Sequence, residues 1–269
     1  MISWLIGFLA LGAFAGFFAG LLGVGGGGVM VPVLAVMFAA LGFPEAHLMH
    51  LALGTSMAAI VFTSVSSLRA HHRHGAVLWS VVKAIAPGIV VGTLAGAQLA
   101  TWMPTRALAI FFAVFMSYVA LQMIANVKPK PARQLPGAAG MFGVGAGIGG
   151  FSALVAIGGG SLSVPFMTWC NIKMHQAIGT SSAIGFPIAV AGTVGYLWSG
   201  LHATRAGMLP EYSFGFIYLP ALAALVVASV FAAPLGARLA HKLPVATLKK
   251  IFAAVILLLV ANMLRKLLA

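Results

Sequence analysis

The sequence predicts an all-α, polytopic helical membrane protein made of two homologous halves with inverted topology. Each half is expected to contain a glycine-rich broken or re-entrant helix pair. Three observations carry this. Of 269 residues, 62% are hydrophobic and 6% charged, against roughly half and about a quarter in soluble domains. Aspartate is absent, and Glu45 and Glu211 are the only glutamates, far too few charges to cover a water-facing surface. Finally, one set of motifs is written twice, in the same order.

The repeats fix the domain plan. Gly-Val-Gly-Gly-Gly-Gly-Val-Met-Val-Pro (Gly23 to Pro32) matches Ala-Ile-Gly-Gly-Gly-Ser-Leu-Ser-Val-Pro (Ala156 to Pro165) at an offset of 133. His50-Leu-Ala-Leu-Gly-Thr-Ser56 matches His175-Gln-Ala-Ile-Gly-Thr-Ser181 at 125, and Gly96-Ala-Gln-Leu-Ala matches Gly236-Ala-Arg-Leu-Ala at 140. The first membrane repeat therefore covers 1–127 and the second 137–269. Between them 128–136, Lys-Pro-Lys-Pro-Ala-Arg-Gln-Leu-Pro, is a polar, proline-rich linker.

Apolar runs near the roughly 20 residues that span a bilayer fill almost the whole chain. In the first half they lie at 4–23, 29–42, 49–68, 76–100 and 104–126. The first begins Met1-Ile-Ser-Trp-Leu-Ile, without the basic stretch of a cleaved signal, and reads as a membrane helix. The second is short, bounded by the glycine cluster and by Phe43-Pro44. In the second half the runs lie at 137–156, 161–171, 175–198, 212–236 and 244–264, the second again short and ending at Asn171. The first two runs of each half are expected to meet at a glycine-rich point inside the membrane. An odd number of crossings per half then inverts the second half relative to the first, a frequent plan in secondary transporters.

Charge agrees with that alternation. Arg69, Arg73, Lys128, Lys130, Arg133, Lys173, Arg238, Lys242, Lys249 and Lys250 fall on one side. Arg106, Arg205, Arg265 and Lys266 fall on the other, with both glutamates. The positive-inside rule makes the first side cytoplasmic and puts both termini outside. The run His71-His-Arg-His74 is expected to be a cytoplasmic basic loop rather than a metal site, since no carboxylate or cysteine stands beside it.

The candidate substrate site is the pair of glycine clusters. Gly25, Gly26, Gly27, Gly158, Gly159 and Gly160 let the chain turn without Cβ clashes, and Pro32 and Pro165 follow closely. Both clusters then open short helices whose free N–H groups form an anion site without a charged side chain. Close helix packing is the other reading of such glycines. Thr55, Ser56, Thr180 and Ser181 offer hydroxyls to complete a ligand shell, or bonds back to a helix carbonyl. Ser161, where the first half has Gly28, adds a hydroxyl on one side only. His50 and His175 are candidate proton or anion contacts; the alternative for each is an interfacial ring with a wet tip.

Two halves, each with a Gly-x-Gly-Gly-Gly-like stretch, a nearby proline and a Gly-Thr-Ser triplet, resemble the TauE/SafE family of sulfite exporters over essentially the whole chain. That resemblance implies a permease of the bacterial or archaeal inner membrane for sulfur-containing anions such as sulfite or small organosulfonates. An anion channel with the same amide-lined constriction is the alternative, and a membrane-embedded hydrolase a remoter one. No enzymatic activity is expected: paired carboxylates are lacking, and no His-Glu-x-x-His motif occurs. Cys170, the only cysteine, gives neither a disulfide framework nor a metal cluster. No cofactor, metal, nucleic-acid or ATP partner is expected; the partners are a small anion and membrane lipid.

Overall fold

The computed structural model describes residues 2–23, 25–125, 133–240 and 245–268. Lys128, Lys130, Lys242 and most of the 128–136 linker lie outside them, as does the side chain of Lys249. In lipid every backbone N–H and C=O must find a partner within the protein, which favours helices. The described residues form α1 (Ile2–Leu22), α2 (Gly27–Ala40), α3 (Leu48–Arg73), α4 (Trp79–Trp102) and α5 (Thr105–Ala125). They continue with α6 (Ala138–Val155), α7 (Gly160–Trp169), α8 (Met174–Arg205), α9 (Leu219–Ala240) and α10 (Val245–Leu268). Among the described residues, seven helices (α1, α3, α4, α5, α6, α8 and α9) are long and apolar enough to cross a membrane. The molecule is an all-α polytopic membrane protein.

Helices α2 and α7 have 14 and 10 residues. At 1.5 Å per residue they reach only about 21 and 15 Å, short of the ~30 Å hydrocarbon core. Each packs mainly on the helix that follows it, α2 on α3 and α7 on α8, and meets its predecessor towards its far end. The rings of Phe8 and Phe38 stand 6.3 Å apart, joining the outer parts of α1 and α2. The amide of Arg133, just before α6, donates to the carbonyl of Trp169 at the end of α7 (3.4 Å).

Helices α1 and α9 pack as a close pair, and so do α4 and α6. Gly12, Gly16 and Gly20 lay the backbone of α1 against Leu225, Ser229 and Ala233. Gly88, Gly92 and Gly96 do the same for α4 against Phe142, Ala146 and Gly150. Small residues at intervals of four permit this approach, and it is how membrane helices gain packing energy without a hydrophobic driving force between them. The first helix of each half thus lies on the fourth helix of the other. Helices α3 and α8, the most buried of the spans, cross between these pairs, while α5 packs on α10.

Three boundaries differ from expectation. Helix α3 runs to Arg73 instead of ending near 68, so His71, His72 and Arg73 form its last turn, with His74 as its C-cap, and not a loop. The reason is burial: His71 is 1% exposed and its Nε2 donates to the carbonyl of Gly20 in α1 (3.0 Å). Helix α8 continues to Arg205, beyond 198. The run expected to begin a helix at 212 first makes a small hairpin, β1 (Ser213–Phe214) against β2 (Ile217–Tyr218), paired Ser213↔Tyr218. An alternation of Tyr212, Phe214, Phe216 and Tyr218 about a positive-φ glycine, Gly215 (φ 56°), is a strand-turn pattern. It outweighs helix formation over those residues.

Candidate functional site

Helix α1 ends where Gly23 turns into the left-handed region (φ 68°). Helix α2 starts from Gly26, also left-handed (φ 80°, ψ −12°), whose carbonyl accepts from the amides of Val29 and Met30 (both 3.1 Å). The second half repeats the geometry at the same offset. Helix α6 ends at Ala156 (φ 47°), and α7 starts from Gly159 (φ 79°, ψ −16°). The Gly159 carbonyl accepts from Leu162 (3.1 Å) and Ser163 (2.7 Å). Ala156 adopts a conformation that costs an L-residue about 1–2 kcal/mol, so the surrounding packing holds it there.

The two breaks meet. A Cβ on Gly25 would lie 2.7 Å from both Cα and N of Gly158, and one on Gly27 would run into the carbonyl oxygen of Ala156. From α8, Gly185 comes over the carbonyl of Gly158. Gly27, Gly28, Gly160 and Ser161 are buried. They belong to the first turns of their helices, where amides have no intrahelical partner. Each helix start carries roughly half a positive charge, and here two such starts share one buried place.

Beside the junction is a cavity lined by Ala19, Gly23, Gly25, Thr63, Ser64, Ser67, Gly158, Ser182 and Gly185. Its free space is about 10 Å³, room for about one water molecule. Ser67 and Ser182 face each other with Oγ atoms 3.3 Å apart, and Ser182 donates to the carbonyl of Ile178 (3.2 Å). Ser64 donates to Val61 (2.9 Å), and Thr63 pairs with Ser229 of α9 (2.8 Å).

Of the sequence-predicted hydroxyls, Ser181 donates to the carbonyl of Gly23 (3.0 Å) and so touches a break directly. Ser56 and Ser161 are buried with Oγ atoms that have no hydrogen-bond partner among the described residues. The threonines take another place. Thr55 accepts from the amide of Tyr218 (3.0 Å), and Thr180 accepts from the amide of Leu78 (3.0 Å), each at the start of the other half's fourth helix. Gly54 lies against the carbonyl of Phe216 and Gly179 against that of Ala76. Each Gly-Thr-Ser triplet thus grips the segment leading into a helix from the opposite half.

The histidines do not match one another. His50 is 4% exposed; its Nε2 donates to the carbonyl of Ala100 (3.1 Å), and its ring packs 5.0 Å from that of Phe216. It is a buried helix contact rather than a wet-tipped interfacial ring. His175 is exposed at the start of α8. Thirteen residues separate His50 from Thr63, so it sits about 20 Å along α3 from the cavity. Thr63, Ser64, Ser67 and Ser182 escaped the sequence reading. Their signal is burial of hydroxyls at i, i+1 and i+4 of α3 within an otherwise apolar run.

These features define a multi-pass helical membrane protein whose buried centre is made by two backbone breaks and a few hydroxyls. The sequence model of the Sulfite exporter TauE/SafE family matches residues 8–263, and the chain belongs to that family. Its relatives carry the corresponding description. It is 37% identical to a "Probable membrane transporter protein" of Haemophilus influenzae, over 99% of this chain and 100% of the relative. Identity is 25% to "Probable membrane transporter protein YdhB" of Bacillus subtilis, over 87% of this chain and 89% of the relative. It is 22% to "Probable membrane transporter protein MJ0441" of Methanocaldococcus jannaschii, over 87% and 86%. The chain is a membrane transporter. No solved structure matches it.

Proposed function

We propose that this transporter is a secondary carrier for a small sulfur-containing anion, sulfite or a small organosulfonate, bound between the starts of α2 and α7. The observation that carries the proposal is the approach of Gly25 to Gly158, which brings two buried helix N-termini to one point. Amides of Gly26, Gly27, Gly28, Gly159, Gly160 and Ser161 then supply fixed donors to an oxyanion. Ser56 and Ser161, whose hydroxyls have no hydrogen-bond partner among the described residues, supply hydroxyl donors. Ser64, Ser67, Ser181 and Ser182 already donate within the protein and turn to the anion only by giving up those bonds. Thr55 and Thr180, already holding loop amides, steady the site from behind.

The proposed cycle is alternating access by two inverted halves. The exchange of partners, α1 on α9 and α6 on α4, supports this plan, as do the matching grips of Thr55 and Thr180 on the opposite half. A cavity of about 10 Å³ is smaller than any sulfur oxyanion, so the breaks must part to admit one. The conformation described here is then an occluded one, which favours a carrier over an open channel. The face with Arg69, Arg73, Arg133, Lys173, Arg238 and Lys250 is cytoplasmic, with both termini outside, in a bacterial or archaeal inner membrane.

Neither glutamate lies inside the protein: Glu45 and Glu211 are both exposed. Protons relayed by a membrane-buried carboxylate therefore have no group here. The electrical potential supplies the drive instead, about 2.3 kcal/mol per charge per 100 mV, without ATP or a cofactor.

The test is flux from proteoliposomes loaded in turn with sulfite, sulfoacetate, thiosulfate, sulfate and chloride, with and without a pH gradient. Saturable flux of one sulfur anion with counterflow supports the carrier. Linear flux without counterflow indicates a channel, and chloride moving as fast as the sulfur anions contradicts the substrate class.

A further inference from the structure

We propose that the groove between α3 and α9 is a binding site for one anionic phospholipid, its phosphate held by arginines and one acyl chain laid along the groove. The groove is a cavity of about 660 Å³, with Phe62, Val65, Val230 and Pro234 along its walls and Arg69, Arg73 and Arg238 at one end. The proposal stands independently of the substrate site, which occupies other faces of α3.

The spacing of these residues makes two graded stripes. On α3, Phe62, Val65, Arg69 and Arg73 follow one another at intervals of three or four, along one helix face. On α9, Val230, Pro234 and Arg238 do the same. Both stripes run from apolar side chains to a guanidinium, so the groove is greasy at one end and cationic at the other. From Phe62 to Arg73 is eleven residues, about 16 Å along a helix, or half of the ~30 Å hydrocarbon core. The groove therefore has the depth of a single leaflet.

Its walls are held together from within. Ser66 donates to the carbonyl of Val230 (2.8 Å), and Thr63 pairs with Ser229 (2.8 Å), so α3 and α9 stay joined along the groove floor. Phe62 remains 49% exposed and faces outward. All three arginines are exposed, and no carboxylate lines the cavity. Glu45 stands at the opposite end of α3, and Glu211 lies in the segment before β1. Three guanidinium groups without an acidic neighbour suit a phosphodiester, which they grip in bidentate fashion. Basic pockets between membrane helices bind anionic headgroups on the same principle.

The test uses the full-length protein in nanodiscs of equal phosphatidylglycerol and phosphatidylcholine, with lipid adducts counted by native mass spectrometry after release. Wild type is expected to retain phosphatidylglycerol in preference to phosphatidylcholine. Arg69→Gln, Arg73→Gln and Arg238→Gln should each lower that retention, by about fivefold per charge removed. Val65→Trp keeps the charges but fills the groove, and should also expel the lipid. Equal retention of both lipids by wild type would overturn the proposal. So would phosphatidylglycerol that survives Val65→Trp and is displaced by inorganic phosphate, since the arginines would then be holding a free anion rather than a seated lipid.

Discussion

Gly25 faces Gly158 with no room for a side chain between them, and this contact sets the residue-scale expectations. A methyl at Gly25 would meet backbone atoms at 2.7 Å, and backbone cannot rotate away as a side chain does. Gly159 shares the left-handed φ of Gly25 (79° and 81°), a conformation that strains a β-branched residue most. A Cβ there would also press on Ile188. Gly159→Val should abolish transport while the protein still elutes as a single folded species. Normal flux through a folded Gly159→Val variant would contradict the site. Ser161→Ala removes a buried hydroxyl that has no hydrogen-bond partner among the described residues. It should weaken substrate affinity by about two- to tenfold, the worth of one hydrogen bond, without lowering the melting temperature.

At the scale of elements, the close pairs and the triplet grips hold the breaks in place. Gly16 leaves its Cβ position 2.6 Å from the backbone of Ser229. Gly16→Val should therefore pry α1 from α9 at about 1–3 kcal/mol, the usual range for overpacking. At 2–4 °C per kcal/mol for a chain of this size, the melting temperature in detergent should fall by roughly 2–12 °C. Thr55→Val is a separate probe, since it leaves the part-buried Tyr218 amide without its acceptor. It should lower stability by about 1–3 kcal/mol with little change in substrate affinity. The reverse, an affinity loss at full stability, would place Thr55 in the ligand shell instead.

Why some of this is legible in the sequence and some not follows from which features are duplicated. The glycine clusters recur at one offset: Gly26 and Gly159 share their backbone angles, and Gly23 and Ala156 both have positive φ. Duplication exposes such residues within a single sequence. The cavity hydroxyls are not duplicated. At the offset of 125 that relates the Gly-Thr-Ser triplets, Thr63, Ser64 and Ser67 correspond to Ile188, Ala189 and Gly192. The cavity is thus chemically one-sided within a repeated frame, and no search for repeats could find it. His50 misled for a related reason. Sequence matches it to His175, but tertiary packing buries one ring and exposes the other. The His71–His74 run reads as polar, yet a neighbouring helix carbonyl draws its first ring inside.

For the whole molecule, the inverted plan makes a prediction about sidedness. In a Cys170→Ala background, Gln134→Cys and Glu211→Cys place single thiols at exposed positions on faces expected to be opposite. An impermeant maleimide added to intact cells should label Cys at 211 and spare the one at 134 until the membrane is opened. Labelling of both from outside, or the reverse pattern, would contradict the proposed orientation. The same plan, with no carboxylate inside the protein, predicts that flux follows the imposed electrical potential rather than a pH gradient of equal size.

In the proposed carrier the sulfur anion sits on the backbone at the junction of the two breaks. Equilibrium binding of radiolabelled sulfite to purified wild type and to folded Gly25→Ala tests it most directly. The expected result is saturable binding to wild type that weakens at least tenfold in the variant, since the added methyl strains the left-handed Gly25 (φ 81°) and takes up the space beside the Gly158 backbone. Wild-type affinity in a correctly folded Gly25→Ala protein would contradict it and move the substrate elsewhere in the molecule.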